Sequence, residues 1–409
     1  MDFNEKISSV APSKSVTLLS KTKELQKTDS EIINLTGGEP DFPTPQPICD
    51  EANRQLTAGN THYSDSRGNE DLRIRIARKL NEENHAPFTA DQILVTPGAK
   101  LAVYIAVRAL LNPGDEAIWL TPGWVSYPSI VEISGGVPVA VHLKYDEDYR
   151  ITRESLEAAV SERTKLLILN YPNNPTGRTL RESDIEAVSA FLRDHPDVYV
   201  LSDEIYEKVI YDGRTAVSMA SFPEFFERVI VVNGFSKCSA MTGWRVGYLA
   251  CNPDLYRVAL KLFQHCMSCT SGFLQKGALA ALDCTEDTER MRQAYERRRD
   301  LLAEGIRDIP GVEFVSPGGA FYAWVRFDTD KSSGELCDAL LEKAKIAGVP
   351  GDAYGEEDAV CVRFSFAASE DELKRMLVNL RRFAEHGMGI SETGFTTQDT
   401  QTAQEIRGA

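Results

Sequence analysis

Short apolar segments that alternate with helical patterns constrain the fold of this chain more than any other feature. These segments are apolar enough to predict buried strands, at residues 92–96, 117–120, 137–141, 166–170, 198–201 and 229–232. Helical patterns lie between several of them, most clearly over residues 100–111 and over the amphipathic stretch 182–194. This alternation predicts an α/β fold in which a mainly parallel sheet lies between helices.

The length of the chain and the pattern of its later part predict two structural units. A chain of 409 residues exceeds what one hydrophobic core usually supports. Helical patterns dominate from Cys251 to about residue 308, and strand-like segments then return at residues 312–315, 321–325 and 361–366. We therefore expect an arm with part of a small domain over residues 1–45, a large domain over 46–285, a smaller α+β domain over 286–388 and a disordered tail over 389–409.

Charge and cysteine content narrow the partners and the location that we expect. The chain has 45 basic and 61 acidic residues and a net charge of −16, which argues against nucleic acid or an anionic membrane as a partner. Of its eight cysteines, Cys266 and Cys269 form one C-x-x-C pair without a second pair, so we expect reduced thiols and no metal. No stretch reads as a signal peptide or a membrane span, and we expect a cytoplasmic protein.

The loop after residues 229–232 carries a lysine in a distinctive setting. Lys237 lies just past the predicted strand, among small residues, at the end where open α/β sheets bind their ligands. Such a lysine is a candidate for a Schiff base with a carbonyl group, and a solvated loop lysine is the alternative interpretation. Arg245, eight residues further on, offers a guanidinium group suited to a phosphate.

Three further loops with functional side chains are predicted at the same edge of the sheet. Residues 97–100 lead from a strand into a helix and offer free backbone N–H groups to an anion. Residues 171–177 follow a second strand, and Asp203 and Tyr206 end a third. Asp203 could instead cap a helix, which is a common role for an aspartate after a strand. Because parallel strands end at one edge, we expect these groups to meet Lys237 in one cleft.

This set of groups matches the needs of pyridoxal phosphate, which requires an amine for its aldehyde, a carboxylate for its ring nitrogen and an anion pocket for its phosphate. The motifs that carry these groups, Tyr171–Gly177, Asp203–Tyr206 and Asn233–Gly247, resemble those of the class I/II aminotransferases, an aspartate-aminotransferase-like family of fold type I pyridoxal-phosphate enzymes. The resemblance extends over roughly residues 10–385. It implies a seven-stranded, mainly parallel sheet in the large domain, pyridoxal 5'-phosphate as cofactor, an amino acid and a 2-oxo acid as substrates, and a homodimer with shared active sites.

The resemblance also implies roles for individual residues. Lys237 would form the internal aldimine with the cofactor and move the substrate proton as the catalytic residue. The remaining cofactor-binding residues would be Asp203 at the pyridine nitrogen, Asn174 and Tyr206 at the 3-oxygen, Trp124 stacked on the ring, the Gly98, Ala99 and Lys100 amides with Ser236 and Arg245 at the phosphate, and Tyr63 at the phosphate of the neighbouring subunit. The substrate α-carboxylate would be bound by Arg363, assisted by Gly38 and Asn174.

Two departures from the family pattern leave the substrate open. Gly234 stands where many members carry a serine that donates to the phosphate. No arginine is identifiable for a second substrate carboxylate, and Lys100 or Ser13 could take that role. The aromatic residues at 124, 127, 321 and 322 suggest either an aromatic-lined pocket or simple packing.

Other functions on the same scaffold stay open as well. We expect an amino-acid aminotransferase, and lyases, decarboxylases, cyclases and oxidases of amino acids would use the same cofactor residues. A non-enzymatic regulator would need an added basic DNA-binding domain, which the sequence does not show. An NAD enzyme is disfavoured because no G-x-G-x-x-G follows the first strand.

Overall fold

The computed structural model describes residues 3–12 and 14–386. The expected tail over residues 389–409 and the candidate residue Ser13 lie outside the described residues. Within the described residues the strands are Ile33–Asn34 (β1), Ile93–Thr96 (β2), Glu116–Thr121 (β3), Val137–His142 (β4), Thr164–Asn170 (β5), Tyr199–Asp203 (β6), Val229–Gly234 (β7), Gly247–Ala250 (β8), Val312–Phe314 (β9), Tyr322–Phe327 (β10), Ile346–Ala347 (β11), Val349–Pro350 (β12) and Cys361–Ser365 (β13).

The α-helices flank these strands along the whole described chain. They are Glu5–Ser9 (α1), Lys14–Gln26 (α2), Gln46–Thr57 (α3), Glu70–Asn84 (α4), Ala99–Leu110 (α5), Ser126–Ile133 (α6), Arg153–Glu157 (α7), Glu182–Asp194 (α8), Pro253–Cys266 (α9), Gly272–Ala281 (α10), Thr285–Ile306 (α11), Ser333–Ala339 (α12) and Glu370–His386 (α13). None of the helices within residues 3–12 and 14–386 has both the length and the apolar character needed to cross a membrane.

A seven-stranded sheet in the order β2-β8-β7-β6-β5-β3-β4 forms the centre of the molecule. Strands β3 to β7 run parallel to one another, and β8 lies antiparallel between β7 and β2. Two antiparallel steps bring β2 back to the direction of β7, so β2, β5, β6 and β7 all end at the same edge. The predicted α/β fold with a mainly parallel seven-stranded sheet is confirmed.

The main sheet is buried on both faces, which explains why its strands are nearly continuous apolar runs. One apolar cluster packs α4, α8 and α10 against one face, and a second packs α5 and α9 against the other. The sequence pattern located most strands to within one to three residues, as for β5, which begins at Thr164 instead of residue 166. It missed β8, because four residues that begin with a glycine carry too little pattern.

A second sheet, antiparallel and in the order β12-β13-β10-β9, packs with α11, α12 and α13 around its own apolar cluster. The short strand β1 pairs in parallel with β11, which lies in the same part of the fold. The described part of residues 1–45, which we expected to form an arm with part of a small domain, contains α1, α2 and β1. The domain boundaries at residues 45, 285 and 388 stay predictions.

Candidate active site

A cavity of about 320 Å³ lies at the edge where β2, β5, β6 and β7 end. Residues from the second sheet and from the segment after β1 close it. The cavity brings together most residues that the sequence singled out, namely Gly38, Ala99, Lys100, Trp124, Asn174, Asp203, Tyr206, Ser236, Lys237, Arg245 and Arg363. Gly98 packs directly behind this wall, against the Arg245 guanidinium. Tyr63 lies outside the cavity with 89% of its surface exposed.

Lys237 extends into this cavity from the loop after β7. Its Nζ donates a hydrogen bond to the carbonyl oxygen of Gly38 and lies 6.0 Å from the ring centre of Tyr206. Burial lowers the pKa of Lys237 to about 8, although the Glu39 and Asp203 carboxylates oppose the decrease. The solvated-lysine interpretation is therefore wrong, because the amine faces a cavity and not bulk solvent.

The structure explains why a glycine occupies position 234. A Cβ there would lie 2.8 Å from Cα of Gly247 and 2.9 Å from the carbonyl oxygen of Val246, both in the chain that leads into β8. Real Cβ contacts are not that short, so a serine cannot be placed there without moving β8. Gly234 therefore allows β7 and β8 to pack closely at this point.

Asp203 ends β6 with its carboxylate facing the cavity, and it is 5% exposed. Its Oδ2 accepts a hydrogen bond of 2.8 Å from the hydroxyl of Tyr127, and its Oδ1 accepts one of 3.3 Å from the N–H of Ile205. Burial raises the pKa of Asp203 to about 6, and the Tyr127 hydrogen bond limits the increase. No helix begins at this point of the described chain, so the helix-cap interpretation is wrong.

An anion cradle forms at the start of α5. Gly98 precedes this helix with a φ of 84°, a conformation that favours glycine, and the first N–H groups of the helix remain free of intrahelical partners. Arg245 closes the cradle: a Cβ on Gly98 would lie 2.7 Å from the Arg245 Cζ, so a side chain at position 98 would displace the guanidinium. Helix N–H groups beside a guanidinium form a suitable site for a phosphate.

Lys100 adds a second cation on the same side of the cavity. Its Nζ lies 5.0 Å from the ring centre of Trp124. Partial burial, assisted by the charge of Arg245, lowers the pKa of Lys100. Two cations close to each other would be stabilised by anionic groups that enter the cavity.

Arg363 provides a buried guanidinium on the opposite side, from strand β13. Its Nη1 donates to Oδ1 of Asn174 over 3.0 Å and its Nη2 to the carbonyl oxygen of Thr36 over 2.7 Å. Its Nε has no hydrogen-bond partner among the described residues. The ring centres of Tyr322 and Tyr354 lie 4.3 and 5.2 Å from its Cζ. A cation held by neutral groups, with a free donor, is suited to bind a carboxylate.

Tyr127 and Tyr322 line the cavity, although the sequence analysis gave neither of them a role at the cofactor or the substrate. Tyr127 donates to Asp203, and its only sequence signal was its place among the four aromatic residues that suggested a pocket or simple packing. The hydroxyl of Tyr322 lies 2.7 Å from that of Tyr206, and this contact had no sequence signal because the two residues are far apart in sequence. Of the four aromatic residues for which a pocket and simple packing were the alternatives, Tyr127, Trp124 and Tyr322 line the cavity, and Phe321 does not.

Comparisons with known proteins agree with this arrangement. The family model described as aminotransferase class I and II matches residues 30–380. A Bacillus subtilis protein named aspartate aminotransferase is 37% identical over 396 residues, which cover 94% of this chain and 99% of that protein.

Solved structures of aminotransferases also match this chain. An aspartate aminotransferase from Rhizobium meliloti matches with a TM-score of 0.89 and 33% identity, over 94% of this chain and 99% of that one. An aromatic aminotransferase from Pyrococcus horikoshii matches with a TM-score of 0.84 and 37% identity, over 90% of this chain and 98% of that one. The chain is therefore an enzyme of the class I and II aminotransferase family.

Proposed function

We propose that the cavity binds pyridoxal 5'-phosphate and that the enzyme transfers the α-amino group of an amino acid to a 2-oxo acid. The observation that carries this proposal is the amine of Lys237. It shares one cavity with the Asp203 carboxylate and the Arg245 guanidinium, and both are close enough to shift its pKa. When bound, this cofactor supplies an aldehyde that an amine can hold and a ring that withdraws electrons from the substrate.

The residues of the cavity fit the parts of this cofactor. The N–H groups at the start of α5, with Arg245 and Ser236, suit the phosphate. Asp203 suits a protonated ring nitrogen, because a buried carboxylate is stabilised by a facing cation. We assign Tyr206 and Asn174 to the 3-oxygen of the ring. Trp124, at the cavity wall, is assigned to stack on its face.

Lys237 is the catalytic residue in this proposal. With a pKa of about 8, part of the Lys237 population is neutral at neutral pH, and the neutral amine is the form that reacts with a carbonyl carbon. The same Nζ, once free, is placed to move the proton of the substrate α-carbon as a general acid and base. Before the cofactor is bound, the carbonyl oxygen of Gly38 holds the amine in the cavity.

Arg363 is the group that we assign to the substrate α-carboxylate. Its buried position strengthens a charge-assisted hydrogen bond, and the side chain of Asn174 and the carbonyl of Thr36 fix its orientation. The N–H of Gly38, on the same segment as Thr36, is assigned to assist it. This arrangement orients the α-carbon between Arg363 and Lys237.

We infer that the amino donor is an acidic amino acid such as aspartate. The Bacillus subtilis and Rhizobium meliloti proteins are named aspartate aminotransferases. Within the cavity, Lys100 supplies a cation separate from Arg363, and a second carboxylate would gain by pairing with it. Aromatic amino acids are the alternative donors, since the Pyrococcus horikoshii structure is titled an aromatic aminotransferase.

A second copy of the chain is part of the proposal. Tyr63 is 89% exposed and makes no contribution to the cavity of its own chain. We propose that it reaches the phosphate of the neighbouring subunit in a homodimer. A large aromatic side chain left in water is disfavoured, and burial against a partner would remove that cost.

The test is a single-turnover measurement on the holoenzyme. Each of aspartate, glutamate, phenylalanine and alanine is added without a 2-oxo acid, while cofactor absorbance, 2-oxo acid and ammonia are followed. We expect aspartate to give one equivalent of 2-oxo acid without ammonia. Release of ammonia or carbon dioxide, or consumption of oxygen, would mean a lyase, decarboxylase, cyclase or oxidase instead.

Variants assign the roles of the two cavity lysines. Lys237→Ala should lower turnover by about 10²- to 10⁴-fold, the usual contribution of a general acid and base. Lys100→Met should raise the KM for aspartate by about tenfold or more and leave that for phenylalanine within about twofold, because it removes one charge-assisted hydrogen bond. Equal effects on both substrates would contradict the role of Lys100.

A further inference from the structure

Tyr322 contacts two groups to which the proposed function gives different roles. Tyr206 is assigned to the cofactor, and Arg363 is assigned to the substrate carboxylate. The hydroxyl oxygen of Tyr322 lies 2.7 Å from that of Tyr206, at the end of the main sheet. Its ring centre lies 4.3 Å from Cζ of Arg363. Tyr322 and Arg363 are diagonal neighbours on the paired strands β10 and β13, so they share one face of the second sheet. One side chain thus joins the proposed carboxylate site to the proposed cofactor site.

The hydroxyl of Tyr322 has little freedom to leave this position. A Cβ on Gly38 would lie 3.2 Å from it, so the backbone of Gly38 packs directly against the oxygen. The rings of Tyr206 and Tyr322 meet edge to face, with centres 5.7 Å apart and an angle of 78° between the planes. Tyr322 itself is 1% exposed. The hydrogen bond between the two phenols is therefore a fixed feature of the cavity.

Only one of the two phenols can donate in this hydrogen bond. If Tyr322 donates, the proton of Tyr206 is free for an oxygen of the cofactor; if Tyr206 donates, it is not. Burial raises the pKa of Tyr322, and the positive charge of Arg363 beside its ring opposes that increase, which favours Tyr322 as the donor. A carboxylate bound to Arg363 would cancel this charge and weaken that preference.

Burial and nearby charges also shift the pKa values of Tyr206 and Lys237. Burial raises the pKa of Tyr206 well above its ordinary value, and the charge of Arg363 opposes the increase. The charge of Arg363 also lowers the pKa of Lys237 directly. The titratable and charged groups that face these phenols and the lysine are Asp203, Arg363, Arg245, Glu39 and Tyr354.

We propose that Tyr322 is a positioning residue that couples the binding of a carboxylate at Arg363 to the hydrogen bond that Tyr206 can donate to the cofactor. The inference rests on the proposed function and adds a residue to it. Tyr322 does not touch the reacting atoms in this account. It acts through Tyr206, so that the cofactor environment differs between the free enzyme and the enzyme with substrate bound.

The experiment is a pH titration of the holoenzyme absorbance, with and without saturating succinate, a dicarboxylate that has no amino group to transfer. In the wild type we expect succinate to raise the pH midpoint of the absorbance change. In Tyr322→Phe the rise should fall to less than half, because only the direct effect of Arg363 and its hydrogen bond to Asn174 remain. The ring still packs on Arg363 in this variant. The KM for the amino acid should therefore stay within about twofold of the wild-type value, while kcat falls.

Tyr354→Phe is the matched control. Tyr354 also packs beside Arg363, but its hydroxyl has no hydrogen-bond partner among the described residues, so the full rise should persist. Tyr206→Phe, alone and with Tyr322→Phe, gives a double-mutant cycle in which the losses should not add. A full succinate-induced rise in Tyr322→Phe, or additive losses, would overturn the coupling.

A further variant separates this inference from the proposed function. Arg363→Met should abolish the rise. If succinate shifts the midpoint of Arg363→Met as much as that of the wild type, the assignment of Arg363 as the carboxylate site fails, and the coupling fails with it. If Arg363→Met abolishes the rise and Tyr322→Phe retains it in full, only the coupling is wrong.

Discussion

At the scale of single residues, the charge of Asp203 depends on its hydrogen bond to Tyr127. Burial raises the pKa of Asp203 to about 6, within reach of physiological pH, and the hydroxyl of Tyr127 opposes that increase. A hydrogen bond to a charged acceptor typically contributes about 1.5–3 kcal/mol. Tyr127 therefore helps to keep Asp203 ionised for the ring nitrogen that we assign to it.

Tyr127→Phe should weaken binding of pyridoxal 5'-phosphate by about tenfold near neutral pH, because it removes this hydrogen bond. The pKa of Asp203 rises further in the variant, so more of Asp203 is protonated at low pH. The loss should consequently be larger at pH 6 than at pH 8. Titration of the apoenzyme with the cofactor at both pH values measures it.

Tyr256→Phe provides the control for this prediction. Tyr256 is also buried, lies on α9 outside the cavity and has a hydroxyl without a hydrogen-bond partner in the described part of the chain. Its substitution should leave the cofactor dissociation constant within about twofold at both pH values. An equal loss in Tyr127→Phe at pH 6 and pH 8 would contradict the role of the hydrogen bond.

Sequence reasoning found the residues that stand in recognisable motifs and missed those defined only by contact. Lys237, Asp203 and Arg245 follow strands with clear apolar patterns, and the structure places all three in the cavity. Tyr322 reaches Tyr206 from 116 positions further along the chain. No local pattern encodes such a contact, because it depends on how the two sheets pack.

At the scale of secondary-structure elements, a buried polar cluster links helix α4 to the end of strand β6. Glu204, directly after β6, accepts hydrogen bonds of 2.8 Å from Ser202 and 2.6 Å from Ser218. Asn84, the last residue of α4, donates to Glu204 over 3.4 Å and to Glu207 over 2.7 Å. The cluster lies next to Asp203 and thereby fixes the strand end from which the proposed site is built.

Glu204→Gln should change the pH dependence of stability. Burial raises the pKa of Glu204 to about 7 from an ordinary 4.5, and the nearby Glu207 carboxylate adds to the increase. Between these values the folded protein holds a proton that the unfolded chain releases, so wild-type stability falls as the pH rises from 4.5 to 7. Glutamine does not titrate. The free energy of unfolding of the variant, relative to that of the wild type, should therefore increase by roughly 3 kcal/mol from pH 4.5 to pH 8.

Unfolding by urea at both pH values measures this difference. Glu24→Gln, on the exposed surface of α2, should change stability by less than about 0.5 kcal/mol at either pH. If Glu204→Gln shows the same difference from wild type at low and high pH, Glu204 does not titrate in this range in the folded protein. A larger deficit at pH 8 would contradict the predicted sign.

The elements themselves were predicted well where burial gives a strong pattern. The central strands β5, β6 and β7 are buried throughout or nearly so, and each was expected from its apolar residues. Strand β8 was not expected, although it separates β7 from β2 and forces a glycine at position 234. Its position is determined by pairing with two distant strands and not by its own four residues.

At the scale of the whole molecule, the cavity exists because two sheets and the segment after β1 meet. Arg363 of the second sheet donates to Thr36, which is 327 positions away in sequence, and to Asn174 after β5. Asp41, on the same early segment, forms two hydrogen bonds of 2.8 Å with Arg298 of α11. The sequence pattern predicted both units, but the roles of Arg363 and Gly38 came only from the family resemblance.

The central claim is that Lys237 is the amine that holds the cofactor, and one measurement tests it most directly. Borohydride reduction of the holoenzyme fixes pyridoxal phosphate to the lysine that carries it, and peptide mass spectrometry then identifies that residue. We predict modification at Lys237 with about one cofactor per chain. Modification at Lys100, the other lysine of the cavity, or no modification of Lys237 would contradict the account.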